Sequence, residues 1–149
     1  YLYYQPRQQL YPFALLYLQT NFRRKLDYRV FGGAGLTVQL LRTPGSNLKL
    51  SAGVVYENSR FKAVEYNNPA YKGSPAIALW RTTFYLAGWH QLAQKKVRLF
   101  YTAYLQPGLD GKRNHRSSLE LGLDLPVWKG LGMQLAYLYV REGVMPVQV

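Results

Sequence analysis

A chain of 149 residues with 19 Lys and Arg against 7 Asp and Glu is one domain's length and carries a net charge of +12. Such a charge attracts nucleic acid, anionic lipid or lipopolysaccharide phosphate without choosing among them. Although 48% of residues are hydrophobic, the apolar runs, such as Phe13 to Leu18, are far shorter than the roughly 18 to 20 residues of a membrane-spanning helix. This excludes a helical membrane protein, and the absence of cysteine excludes a disulfide scaffold or thiolate metal site.

Taken in order, period-two alternation predicts seven strands: Leu10 to Thr20, Leu26 to Leu41, Leu48 to Phe61, Ala76 to Leu92, Val97 to Gln106, Ser117 to Leu125 and Leu131 to Arg141. Leu2 to Gln5 reads as the end of another. The plainest alternation is Leu119, Leu121, Leu123 and Leu125 against Glu120, Gly122 and Asp124. In Leu26 to Leu40 one face carries Tyr28, Val30, Leu36 and Val38, while the other mixes Asp27, Arg29, Phe31, Gly33, Gly35, Thr37 and Gln39.

Thr43 to Asn47 is a turn signal. Folding about Gly45 sets Leu40 opposite Leu50 and Leu36 opposite Val54, apolar against apolar, as an antiparallel pair requires. Folding near Trp128 sets Leu125 opposite Leu131 and Leu121 opposite Leu135. Connections alternate in length. Pro6 to Gln8, Thr43 to Asn47, Gln94 to Lys96 and Pro126 to Gly130 are tight, whereas Asn21 to Lys25, Lys62 to Pro75 and Pro107 to Arg116 are mostly longer and more polar.

Short turns at one end and longer loops at the other, with several strands of about 9 to 11 residues or more, match outer-membrane barrels. The expectation is therefore an all-β, antiparallel, up-and-down transmembrane barrel formed by residues 1–149 as a single domain. With no leader peptide at Tyr1, a stub at Leu2 and no closing aromatic strand after Val149, the chain reads as an incomplete portion of a barrel of eight to twelve strands. Its lumen should hold Asp27, Arg29, Lys49, Glu57, Arg81, Arg98, Glu120 and Asp124. Tyr17, Tyr28, Tyr56, Trp80, Tyr137 and Tyr139 should form an aromatic girdle.

The segment Leu26 to Glu57, with Tyr28, Arg29, Gly33, Gly35, Gly53 and Tyr56, resembles the bacterial salt-induced outer-membrane protein family, a β-barrel domain of uncharacterised function. The resemblance implies a Gram-negative outer-membrane location and brings no catalytic residue. Lipid and lipopolysaccharide are then the expected partners, with other envelope proteins in a complex. Arg23, Arg24, Lys25, Lys112, Arg113 and Arg116 are candidate contacts for their anionic groups. No nucleic acid and no cofactor is expected.

The function expected is a structural or accessory envelope role, or a narrow passage for small polar solutes. Against the passage, the interior charges can pair and fill a small lumen, and Phe31, Tyr85, Trp89, Phe100 and Tyr104 share their face. Two alternatives come from other classes. A soluble basic β-protein could stack nucleic-acid bases on its tyrosines. A membrane-embedded lipid-modifying hydrolase could use His115 beside Ser117 and Ser118, but no acid or oxyanion motif accompanies them. No enzyme activity is expected, and His90 and His115 lack the converging ligands of a metal site.

Overall fold

The computed structural model describes residues 2–21, 26–62, 66–67, 69–94, 96–112, 114–128 and 130–144. Eight strands run in sequence order through one antiparallel sheet: β1 (Leu2–Tyr3), β2 (Leu10–Asn21), β3 (Leu26–Thr43), β4 (Ser46–Phe61), β5 (Ala76–Leu92), β6 (Val97–Pro107), β7 (His115–Trp128) and β8 (Leu131–Glu142). Helix is limited to one 3-10 turn, Pro69–Tyr71, among the described residues. The sheet is not closed, since β8 pairs with β7 and β1 with β2, and neither ladder returns to the other.

Each strand alternates between two environments, and their order is inverted relative to a water-soluble sheet. The outward residues are apolar and exposed, with Leu16 at 70% and Leu135 at 52%, whereas the inward set includes Arg81 at 0% and Glu57 at 1%. A sheet curled with its charges inside and its leucines outside stabilises nothing in water. In lipid the same outer face would be in its preferred solvent, with the backbone groups between neighbouring strands paired in the ladders.

Both folded hairpins keep the expected faces while shifting their partners by one pleat repeat. Val38, not Leu40, lies opposite Leu50, and Ala52, not Val54, lies opposite Leu36. Likewise Leu125 pairs with Met133 rather than Leu131, and Leu121 with Tyr137 rather than Leu135. In each case an irregularity lies beside the turn, between Gln39 and Leu41 or between Pro126 and Trp128. Each irregularity is one extra residue, Leu40 or Val127, and the turn is displaced by an odd step as well, so the net shift is even and the faces are kept.

Glycines on the inner face set how tightly the sheet bends. A Cβ on Gly35 would stand 2.2 Å from the Ala52 carbonyl oxygen and 2.6 Å from the Gly53 Cα, so β3 and β4 approach there as only glycine permits. Gly122 is covered instead by a ring, with its opposed neighbour Phe100 lying 2.1 Å from where a Cβ would be. Gly122→Val should displace that ring and cost about 1 to 3 kcal/mol. Urea unfolding should detect this, and the loss should shrink in a Phe100→Ala background because both changes act on one contact.

Candidate functional site

The inner face is stacked in layers, beginning with an apolar one at the loop-side end. Leu26, Phe61, Tyr66, Tyr71, Ile77, Leu79 and Val144 form one buried cluster there. The loop residues between β4 and β5 fold back over the strand ends: Tyr66 donates its hydroxyl to the Ser74 carbonyl at 2.8 Å. Tyr71 donates to the Asp110 carboxylate and accepts from Asn114 Nδ2 at 3.1 Å. Burial, reinforced by the bond to Asp110, pushes the Tyr71 hydroxyl up to about 12, and burial alone raises Tyr66. Both phenols therefore keep their protons at any physiological pH.

Beneath this cap lies a charged layer centred on Glu57 of β4. Arg116 donates to both of its oxygens, Nη1 to Oε2 at 2.7 Å and Nη2 to Oε1 at 2.6 Å, the bidentate geometry that suits a planar guanidinium. Arg81 Nε donates to Oε2 at 2.6 Å and Ser59 Oγ to Oε1 at 2.5 Å, while Arg29 Nε lies 3.3 Å from Oε1. The carboxylate's roughly four lone-pair positions are thus filled.

The arginines are held from behind as well. Arg81 donates to the Asn114 carbonyl at 2.9 Å and to Asn114 Oδ1 at 2.8 Å, tying the β6–β7 loop into the interior. Arg29 donates to Ser59 Oγ at 3.1 Å and to Gln19 Oε1 at 3.2 Å, and lies 3.6 Å from Glu142 of β8. Strands β2, β3, β4, β5, β7 and β8 are therefore linked through one ionic network. Further inside, Phe13, Leu15 and Val55 form a second apolar cluster with Tyr3 and Phe31 against it.

Of the eight residues expected in the lumen, Arg29, Glu57 and Arg81 meet in this layer. Lys49 lies elsewhere on the same face, its ammonium 5.4 Å from the centre of the Tyr3 ring. Arg98 and Asp124 pair at 2.9 Å near the turn end, half exposed, and Glu120 accepts a long 3.4 Å bond from Thr102. Asp27 departs from the expectation. The irregularity between Leu26 and Tyr28 turns Leu26 into the cap and leaves Asp27 exposed, 3.9 Å from Lys62.

Arg116 corrects the sequence reading most sharply. Placed there among the lipopolysaccharide-facing loop cations, it is instead an inward residue of β7, opposite Gln106 and Glu142 and bonded to Glu57. The strand begins earlier than its apolar alternation suggested, and an inward arginine carries no signal of its own. What parity alone offered was that Arg116 shares the inward alternation of Ser118, Glu120 and Asp124 on β7.

Lys112 is exposed in the loop, its ammonium 5.0 Å from the centre of the Tyr71 ring. Arg23, Arg24, Lys25 and Arg113 lie outside the described residues. Tyr28, Tyr56, Trp80, Tyr137 and Tyr139 are exposed on the outer face, with the Tyr56 and Trp80 rings 5.2 Å apart. Tyr17 departs from that group: it pairs with Phe31, shares its inward parity, and its ring lies tilted against that ring with centres 4.9 Å apart.

The hydrolase arrangement has little geometry behind it. Ser118 points inward with Arg116, Ser117 points outward, and alternation prevents both from facing His115. His90 hydrogen-bonds the Tyr101 hydroxyl at 3.0 Å on the outer face. No group of three or more His, Asp or Glu that could hold a metal is present among the described residues.

Residues 2–147 match the model of a family described as a protein of unknown function, DUF481. No curated protein and no solved structure matches the chain significantly. With almost the whole chain covered by the match, the protein belongs to the DUF481 family of unknown function.

Proposed function

We propose that the protein is an integral outer-membrane β-barrel with a structural or accessory role in the bacterial envelope, and that it is not an open pore. The observation that carries this is the inverted sheet: Arg81 and Glu57 are buried inside while Leu16, Leu36, Leu121 and Leu135 stand exposed outside. An exposed apolar face this extensive on a soluble monomer would drive association. The alternation of short turns and longer loops supports the same reading, as does the likeness of Tyr28, Arg29, Gly33, Gly35, Gly53 and Tyr56 to salt-induced outer-membrane proteins.

The layered interior argues against a passage for solutes. The apolar cap, the Glu57 layer and the Phe13 cluster occupy successive levels on the inner face. Reconstituted in planar bilayers, the protein should give no stepwise conductance although it partitions into detergent and stays with membranes after alkaline washing. Protein recovered in the soluble fraction would defeat the membrane reading, whereas membrane-bound protein with regular conductance steps would defeat only the sealed interior.

A further inference from the structure

The inner face holds a cavity of about 340 Å³ lined from β2, β3, β5, β6, β7 and β8. Its two ends differ in chemistry. Arg29 and Arg116, with Gln19 and Glu142 beside them, line one end; Leu138, Val140, Tyr17 and Phe31 form the apolar part of the rest, interspersed with Tyr85, Thr102, Tyr104 and Ser118. Leu138 is 65% exposed and Val140 48% although both point to the inner face. Apolar surface is thus left uncovered directly beside buried arginines.

Charge counting points the same way. Among the described residues the layer holds three arginines, Arg29, Arg81 and Arg116, against two carboxylates, Glu57 and Glu142. An excess cation in a poorly hydrated interior favours a counter-anion. The cavity also lies between β2 and β8. Among the described residues the β8 ladder is with β7, and Leu16 to Gln19 of β2 are in register with β3 and not with β1. An approach between these two strands comes sideways, from the medium that bathes the outer face.

We propose that this cavity binds a single-chain anionic amphiphile, with its carboxylate or phosphate at Arg29 and Arg116 and its apolar chain along Leu138, Val140 and Tyr17. The assignment rests on the membrane reading above, because lateral entry from lipid is what delivers such a molecule. The volume lies at the lower end of ligand pockets, which run from about 300 to 1,000 Å³. It suits a head group and part of one chain rather than a two-chain lipid.

The test is native mass spectrometry and calorimetry of the intact protein in an uncharged detergent, titrated with lysophosphatidylglycerol, lysophosphatidylcholine, inorganic phosphate and a neutral alkyl glucoside. Lysophosphatidylglycerol should bind one to one, about tenfold more tightly than lysophosphatidylcholine, the loss expected when a charge-assisted contact is weakened. Val140→Trp, which fills the cavity while leaving every charged side chain of the layer in place, should weaken that binding at least about tenfold. Its heat-modifiable gel mobility should stay that of the parent, showing that it folds.

Saturable binding of inorganic phosphate as tight as that of the lipid would overturn the amphiphile assignment in favour of a free-anion site. So would equal affinity for the two lysolipids, or binding unchanged in Val140→Trp. A dimer mass with no lipid bound would assign the β2–β8 space to a second copy of the chain and also overturn it. Quenching at outer-face positions by brominated lipid reads membrane location without using the cavity. Protein that is quenched there yet binds no amphiphile overturns this assignment alone.

Discussion

Replacing Glu57 with Gln should destabilise the protein by about 3 to 5 kcal/mol, the range for breaking a buried ion pair by removing one partner. The neutral amide fills the same space, so packing is nearly unchanged. What is lost is the carboxylate to which both Arg81 and Arg116 are bonded, leaving two guanidinium groups at 0% and 9% exposure with like charge facing like. Urea unfolding from lipid vesicles should show the loss, and the loss should be nearly independent of salt, since buried pairs are little screened.

Two further variants make the prediction specific. Arg98→Gln breaks an ion pair whose partners are 53% and 31% exposed and should cost no more than about 1 kcal/mol. Arg116→Met in the Glu57→Gln background should recover part of the loss, because removing a stranded cation relieves what removing the anion created. A Glu57→Gln protein within about 1 kcal/mol of the parent would mean that the layer is hydrated and that its arginines do not depend on this carboxylate.

Leu121→Arg should cost about 2 to 4 kcal/mol if its side chain lies at mid-bilayer, the penalty for a cation on the lipid face of a barrel. Leu121 is outward, 42% exposed, and opposite both Tyr101 and Tyr137. In water such a substitution on an exposed position would stay within about 0.5 kcal/mol. Leu109, 58% exposed in the β6–β7 loop, provides the contrast, and Leu109→Arg should change stability by no more than about 0.5 kcal/mol. Unfolding midpoints of the two variants, measured in the same vesicles, make the comparison internal.

The faces of the strands were readable because a period of two needs only parity. Leu119, Leu121 and Leu123 stay outward whichever residue they meet, and even the Ala76–Leu92 strand, where aromatics occupy both sides, keeps Arg81, Tyr85 and Trp89 on one face. Register was not readable to the residue. It depends on bulges beside the turns, and bulges follow from local backbone geometry rather than from hydropathy. The same limit misplaced Asp27, which sits at an irregularity near the start of β3.

The charged layer was legible in its members and hidden in its connections. Arg29, Glu57 and Arg81 stand on three successive strands, so their shared face follows from alternation alone. Arg116 joins them from β7, 59 residues along the chain from Glu57, and only the curl of the sheet brings it there. The cap was hidden for a similar reason. Tyr66, Tyr71 and Asn114 belong to polar connections whose inward fold depends on Arg81 and Asp110 as partners.

The account rests on the outer face lying in lipid, and the chain contains no cysteine, so any cysteine introduced is a unique probe. Lys49 and Leu50 on β4, and Leu119 and Glu120 on β7, are adjacent pairs of opposite parity. Each would be changed singly to Cys, labelled with an environment-sensitive fluorophore, and challenged in vesicles containing brominated lipid. Strong quenching at positions 50 and 119 with weak quenching at 49 and 120 is the result expected. Equal quenching within each pair, or none at any of the four, would contradict a membrane-embedded barrel.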